Sequence, residues 1–494
     1  MSFITSITDF ITLLLLLIVL FVFLSAVIMA VLDRTQTAHS VLRNFPFVGR
    51  FRYWFEKLGE FLRQYFFALD QEELPFNRSQ RSWAYRAAKD ENNTVSFGSK
   101  KDLNQPGTYL FLNSGFPKLD QETLPTQTLT LGPNCRVPYT PASFFNISAM
   151  SYGALSKNAV LALSKGAKKA GCWLNTGEGG LSTFHLQGGA DIVFQIGTAK
   201  YGVRDEHGIF SATKLEEIAA HPQVKMFEIK LSQGAKPGKG GILPAEKVTA
   251  EIAKIRGIEP GKASISPNRH PDIGNVDELI AFINTVREVT GKPTGIKFVL
   301  GSPDWLIEFL DSISKRGAEF APDFITLDSG DGGTGAAPMP LMDSVGLPLR
   351  DSLPKVDDLL RTYGLRKRIR LIATGKLIIP TNVAAALAMG ADFCSSARGF
   401  MFSLGCIQAF QCNKNTCPTG ITTHDIGLQR GLVPDNKAER VYHYHKNMEK
   451  EVGLIAHSCG VEEPRKLRRH HARIVIEGGK SVLLDVLYPY ADAN

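Results

Sequence analysis

The sequence predicts an α/β protein built on a closed (β/α)8 TIM barrel, with an N-terminal transmembrane helix before the barrel and a helical C-terminal tail after it. Three observations carry that prediction. Eight short apolar runs follow one another from residue 143 onward, separated by glycine-rich loops and stretches with helical spacing. Polar residues gather directly after the runs. A charge-free apolar segment, residues 10–32, stands near the start of the chain.

The eight runs are FFNISAM, CWLN, DIVFQIG, MFEIKLS, TGIKFVL, DFITLDSG, IRLIATG and ADFCSSARG. Between them lie stretches of helical period such as PAEKVTAEIAKIRG, DELIAFINTVREVTG, DWLIEFLDSISKRGA and TNVAAALAMGA. Alternating strands and helices imply a parallel sheet with helical crossovers, and eight such units close into a barrel. An open doubly wound sheet is the alternative, but no G-x-G-x-x-G fingerprint opens the first unit.

The apolar segment FITLLLLLIVLFVFLSAVIMAVL is about 35 Å long as a helix, enough to cross a hydrocarbon core of roughly 30 Å. A cleaved signal peptide is the competing reading, yet no Lys or Arg precedes the run. Arg34, Arg43, Arg50, Arg52 and Lys57 follow it, so the positive-inside rule places the bulk of the chain in the cytoplasm, tethered by a single pass. Residues 41–67 mix aromatic and basic side chains, which suits a segment on the membrane surface or helices packed on the main domain. The expected organisation is an anchor (1–33), a membrane-proximal lead-in (34–130), the barrel (131–425) and the tail (426–494).

The formal charge of +8 admits nucleic acid, anionic membrane or acidic substrates as partners. No zinc-finger, RNA-recognition or basic-helix pattern accompanies it, so nucleic acid is not expected. Seven cysteines in 494 residues do not make a disulfide scaffold. The basic run RKLRRHHARIV in the tail reads as a solvated face.

In a barrel of this kind the active site lies at the C-terminal ends of the strands. The loops there are SYGALS, TGEGG, SQGAKPGKGG, SGDGGTGA, TGK and SARG. Lys230 and Lys297 sit inside apolar strands, where a lysine is costly unless it meets an anion or snorkels to the rim. Barrels often hold a phosphate with the loops after strands seven and eight, here Thr374, Gly375, Lys376 and Ser395, Ser396, Arg398, Gly399. Small residues let backbone N–H groups approach phosphate oxygens. With Ser329–Ala336 they point to a phosphorylated cofactor such as FMN.

Cys406, Cys412 and Cys417 follow a C-x5-C-x4-C-P pattern. Zinc sites usually show paired C-x2-4-C ligands and four donors in total; here no CxxC occurs and no fourth cysteine lies nearby. Three thiolates suit an iron–sulfur cluster with three iron corners; buried structural cysteines are the plainer reading.

The segment GCIQAFQCNKNTCPTGITT resembles the cluster loop in the synthase domain of glutamate synthases. SAMSYGALS, NTGEGG, IKLSQGAKPGKGG, SISPNRHPDI and DSGDGGTGAAP occur in that family's order, over roughly residues 140–425. The resemblance implies a (β/α)8 domain that carries FMN and a 3Fe-4S cluster on Cys406, Cys412 and Cys417. The implied reaction is reductive amination of 2-oxoglutarate with ammonia to glutamate. It also implies roles for single residues. Lys236, Arg256 and Gln233 would bind the dicarboxylate, and Glu178 would stand near the ammonia entrance. Met150 and Ser151 would border the flavin ring, and Lys230 or Lys297 would face the charge of the reduced flavin. Asp331, Gly332, Gly333, Gly375 and Lys376, with Gly399, would line the flavin phosphate.

Two positions depart from the family pattern, Lys239 for an acid and Ile242 for a glutamine that contacts 2-oxoglutarate. They leave open another 2-oxo acid, imine or amino acid as substrate. A non-catalytic electron-transfer subunit is a further alternative, against which Lys236 and Arg256 argue. No glutaminase or dinucleotide-binding region is evident, so ammonia is expected free or from a partner. Electrons are expected from ferredoxin, a reductase subunit or a membrane redox partner.

Overall fold

The computed structural model describes residues 2–491 and divides the chain into two compact units, residues 1–79 and 80–494. The larger contains a closed, all-parallel barrel of eight strands. These are β1 (Phe145–Ile147), β2 (Trp173–Asn175), β3 (Asp191–Ile196), β4 (Val224–Lys230), β5 (Thr294–Val299), β6 (Phe324–Asp328), β7 (Arg370–Thr374) and β8 (Phe393–Ser396). Each pairs with its successor, and β8 returns to β1 with Cys394 opposite Phe145 and Ser396 opposite Ile147. All eight apolar runs are barrel strands.

The crossover helices begin and end where local chemistry says they should. Ser156 Oγ accepts from the Ala159 N–H at the start of Lys157–Ala170, and Asn275 Oδ1 accepts from Glu278 at the start of Val276–Thr290. Left-handed glycines, Gly171 and Gly291, close the same two helices.

The N-terminal end of the barrel is shut by apolar packing. Trp173, Phe324 and Phe393 are the first residues of their strands, and with Val193, Met226 and Ile372 they enclose Leu131 and Tyr139. That pair forms an antiparallel bridge across the barrel floor. Polar side chains therefore concentrate at the opposite rim.

The tail opens with the long helix Pro434–Ser458, which packs along Lys157–Ala170. A Cβ on Gly166 would stand 2.5 Å from Val441 Cβ, so glycine there permits the close approach. Beyond that helix the tail adds two strands, Ala472–Val475 and Ser481–Leu483, which form a small antiparallel sheet with Tyr109–Phe111 of the lead-in. Helical spacing could not announce that sheet, because its strands are only three or four residues long.

A charge network ties the tail to the barrel. Asp357, fully buried, accepts from Arg366 at 2.6 Å, Arg361 at 2.8 Å and the equally buried Arg469 at 3.1 Å.

In the smaller unit, helix Ser2–Thr35 contains the one candidate span among the described residues, Ile7–Thr35, and no part of its apolar window is buried. By length and composition it could cross a membrane, and a signal sequence passes the same test. Residues 40–67 are almost wholly helical, as Ser40–Asn44, Gly49–Leu62 and the π-helical turn Arg63–Phe67. Asp33 organises the turn between them, accepting from Arg50 at 2.6 and 3.0 Å and from the Phe47 N–H at 2.9 Å. Phe51, Trp54 and Phe55 remain exposed.

Removing Asp357 strands buried guanidinium charge, which typically costs about 3–5 kcal/mol. Asp357→Ala is therefore expected to lower the thermal unfolding midpoint clearly, and an unchanged midpoint would show that the network is dispensable.

Candidate functional site

The C-terminal ends of the strands surround a cavity of about 1180 Å³, its open mouth included. The loops after β1, β2, β4, β6, β7 and β8 all contribute to its wall, and β5 supplies Lys297. Of the residues singled out in the sequence, Met150, Ser151, Glu178, Gln233, Lys236 and Arg256 line it. So do Lys297, Gly333, Gly375, Lys376 and Cys412. Lys230, Asp331, Gly332, Gly399, Cys406 and Cys417 stand outside the lining; several of them hold lining residues in place.

One end of the cavity is cationic. Lys230 Nζ donates to Glu178 Oε2 at 2.7 Å and to Gln233 Oε1 at 3.1 Å, so Lys230 positions both side chains from behind. Glu178 itself is closely seated. A Cβ on Gly241 would lie 2.0 Å from its Oε1, and one on Gly197 would lie 2.6 Å from its Cβ. Arg256 is buried, donating from Nη1 to Ser264 Oγ at 3.1 Å and from Nη2 to the Tyr152 carbonyl at 3.3 Å. Its guanidinium stands 5.1 Å from the Tyr201 ring centroid, and its Nε has no hydrogen-bond partner among the described residues. Lys236, also buried, forms no ion pair among the described residues.

Lys230, Lys236 and Arg256 thus share one carboxylate, Glu178, leaving two positive charges uncompensated. Burial works against ionisation of Glu178, but Lys230, Lys236 and Arg256 outweigh it and hold the carboxyl below its ordinary range. Burial pushes the Lys236 ammonium down to about 8, with Glu178 opposing and Lys230 reinforcing the shift. Burial likewise lowers Arg256. An enclosed surplus of positive charge with an unfilled guanidinium N–H is suited to a small dianion.

Further round the rim, Lys297 Nζ lies 3.0 Å from Asp328 Oδ2, which also accepts from the Gly234 N–H at 3.1 Å. Burial opposes the Lys297 charge, yet Asp328 and Glu228 hold it above its ordinary value. Of the two strand lysines, Lys297 reaches the cavity while Lys230 acts through its partners. Asp331 pairs with Lys376 at 2.8 Å and accepts from the Ser329 hydroxyl. Those contacts outweigh burial and keep its carboxyl low. Gly375 has φ +116°, and a Cβ there would come within 2.3 Å of Ser329 Cβ. The loops after β6 and β7 are therefore held together without side-chain bulk at the wall. Gly399 opens no cavity surface; it packs under Tyr444, whose Oη a Cβ there would meet at 2.0 Å.

The thiol loop forms another part of the wall. Cys412 lines the cavity, and Cys406 and Cys417 are buried beside it. Burial pushes the Cys406 thiol up to about 11, relieved in part by Arg398. Cys417 goes the other way, since hydrogen bonds from Thr419 and Thr422 outweigh its burial. Among the described residues no three His, Cys, Asp or Glu side chains converge as the ligands of a single metal ion. A multi-iron cluster, offering each thiolate its own corner, does not require that convergence.

Reading the sequence missed the layer beneath the cavity. Glu228, inside the barrel, accepts from Asn175 at 2.8 Å and from Gln195 at 2.7 Å. The signal was present: Gln195 interrupts DIVFQIG, and Glu228 stands two residues before Lys230, on the same strand face. It also missed Lys247, a fully buried lysine under the thiol loop, and the position of Arg398. Arg398 points toward Cys412, with Nη1 3.7 Å from its Sγ.

Residues 119–462, which hold the barrel, the cavity loops and the three thiols, match the conserved region in glutamate synthase. The glutamate synthase large subunit-like protein YerD of Bacillus subtilis is 41% identical over 494 residues, covering 92% of this chain and 93% of that protein. An archaeal NADPH glutamate synthase of Methanocaldococcus jannaschii is 34% identical, over 69% of this chain and 64% of its own length. The large chain of the NADPH glutamate synthase of Bacillus subtilis is 32% identical, over 59% of this chain but 18% of its own length. The chain belongs to the glutamate synthase family.

A bound dianion favours protonated Lys236, whereas the free protein releases that proton above about pH 8. The affinity for glutarate, a simple dicarboxylate, is therefore expected to fall as pH rises through that value. Calorimetric titration from about pH 6.5 to 9.5 reads this directly; in Lys236→Arg the decline should disappear, because a guanidinium keeps its proton.

Proposed function

We propose that the chain is a glutamate synthase-type oxidoreductase that forms glutamate from 2-oxoglutarate and ammonia. It would use FMN in the rim cavity and an iron–sulfur cluster on Cys406, Cys412 and Cys417. The observation that carries the reading is the continuous wall from the cationic end at Lys236 and Arg256, past Gly375 and Lys376, to Cys412. Dianion clamp, phosphate-sized cradle and thiol open on one space.

The residues present fit both groups. Gly375, which no side chain could replace without meeting Ser329, and the neighbouring Gly333 and Lys376 provide a backbone-lined seat for the FMN phosphate. Met150 and Ser151 would border its ring, and Lys297 would face negative charge developing on it. FMN supplies the hydride for reducing a carbon–nitrogen double bond. Cys406, Cys412 and Cys417 would each take one of the three iron corners of a 3Fe-4S cluster, which would supply a one-electron route from an external donor.

What this chain's own residues do follows from the charges. Arg256 and Lys236 hold the two carboxylates of the substrate, and Gln233, fixed by Lys230, orients it. Glu178, kept ionised, with Lys230 beside it makes a site where ammonia can be desolvated and its protons passed on. Ammonia arrives free or from a partner. Ferredoxin, a reductase subunit or a membrane redox partner supplies electrons, and the span at Ile7–Thr35 anchors the catalytic domain on the cytoplasmic face.

One observation favours a variant of this reading. Ile242 lines the cavity beside Glu178 and presents an alkyl group. An amide exchanged for an alkyl group forfeits a hydrogen bond to substrate of about 1 kcal/mol. A different 2-oxo acid, imine or amino acid then becomes the substrate of the same cofactors and clamp.

Anaerobically purified protein should show a flavin spectrum with overlying iron–sulfur absorption, and analysis should return iron and acid-labile sulfide. With a chemical reductant, 2-oxoglutarate and ammonia should yield glutamate; no glutamate, with both cofactors present, would transfer the case to the other substrates. Arg256→Lys should lower kcat/KM about 100-fold, the loss of a bidentate clamp at about 1.4 kcal/mol per decade.

A further inference from the structure

Two cations flank the thiol loop without carboxylate partners. Lys247 is fully buried, and its ammonium donates only to backbone carbonyls, Ala154 at 2.7 Å and Cys412 at 3.1 Å. Arg398, at the start of helix Arg398–Leu404 directly after β8, is partly buried and bridges two loops. Its Nη1 lies 3.7 Å from Cys412 Sγ and 3.5 Å from Met401 Sδ, while Nη2 donates to the Thr334 carbonyl at 2.5 Å. The Nε side of Arg398 is packed against Gly333, where a Cβ would stand 3.0 Å away. Neither residue forms an ion pair among the described residues.

A buried ammonium without a counter-ion is expensive, and burial pushes Lys247 down to about 8, so nearby negative charge is what would keep it protonated. The nearby groups that oppose the cost at Lys247 are the thiols of Cys412 and Cys417, and Arg256 adds to it. As thiolates, all three cysteines would act favourably on Arg398. The structure is thus prepared for anionic sulfur on the loop, which thiolates bound to iron provide.

We infer that Lys247 and Arg398 are positioning residues whose positive charges raise the reduction potential of the cluster held by Cys406, Cys412 and Cys417. This rests on the cluster in the function proposed above. Reduction adds one electron and no proton to an already anionic group, so adjacent cations stabilise the reduced form more than the oxidised one. Arg398 adds a mechanical link. By gripping both Cys412 and Thr334 it holds the thiol loop against the glycine-rich loop of the cavity, so the two redox sites keep one spacing.

The test is a potentiometric titration of anaerobic full-length protein, the cluster followed by EPR and iron and sulfide quantified in every sample. Arg398→Leu and Lys247→Met remove charge; Arg398→Lys and Lys247→Arg keep it. Each charge-removing variant is expected to lower the reduced-to-oxidised ratio at fixed potential about tenfold, a midpoint drop of about 59 mV for one electron. The charge-keeping variants should stay within about twofold of the parent. Loss of iron confined to the charge-removing variants would also count in favour, since the anionic group would then need those charges to bind. Unchanged midpoints in Arg398→Leu and Lys247→Met with iron intact would overturn the inference. So would equal shifts in neutral and charge-keeping variants. Parent protein without iron or sulfide would remove the cluster itself, a separate failure that takes this inference with it.

Discussion

The hydrogen-bonded seam between β8 and β1, with Ser395 opposite Asn146 and Ser396 opposite Ile147, is the constraint on which the cavity depends. Without it the loops after the last two strands and after the first would lie at opposite edges of an open sheet. With it, Ser148, Met150 and Ser151 face Thr374, Gly375, Ser396 and Arg398 across one space. The apolar plug at the other end, built on Leu131 and Tyr139, completes the polarity of the barrel. Water and charge have one rim to occupy.

That rim departs from ordinary charge balance in one direction. In the tail network, three arginines converge on Asp357 and Asp358 stands beside it, so the charges nearly cancel. Around the cavity, among the described residues, Lys230, Lys236 and Arg256 share Glu178, while Lys247 and Arg398 pair with no carboxylate. A protein bears such local excess where a ligand or a redox group completes the balance. The same low-dielectric surroundings that make the excess costly make it selective for an anion. Glycines sustain the arrangement: Gly197 and Gly241 give Glu178 its seat, and Gly375 lets two loops meet backbone to backbone.

Membership of the glutamate synthase family places these charges in a glutamate synthase-like oxidoreductase. The chain covers 93% of YerD but 18% of the NADPH enzyme's large chain from the same organism. Outside the family's conserved region lie the apolar helix at Ile7–Thr35 and the tail strands that reach back to the lead-in at Tyr109–Phe111. Ile242 lines the cavity from a short strand that pairs antiparallel with Ser264–Ile265.

Much of this was legible in the residues themselves. Eight apolar runs became eight strands because strand formation follows local period and β-branched or aromatic content, which a linear sequence displays. The glycine-rich loops and Cys412, conspicuous along the chain, lie together on the cavity wall. What the sequence could not decide was which charges would pair. Lys230 and Lys297 looked equivalent along the chain; the barrel turned Lys230 toward Glu178 and left Lys297 on the cavity wall. Lys247 and Arg398 are 151 residues apart and became neighbours of the same thiols only through closure. The physical reason is range: backbone preference is set by adjacent residues, whereas electrostatic partnership in a buried site depends on distances that only the packed fold defines.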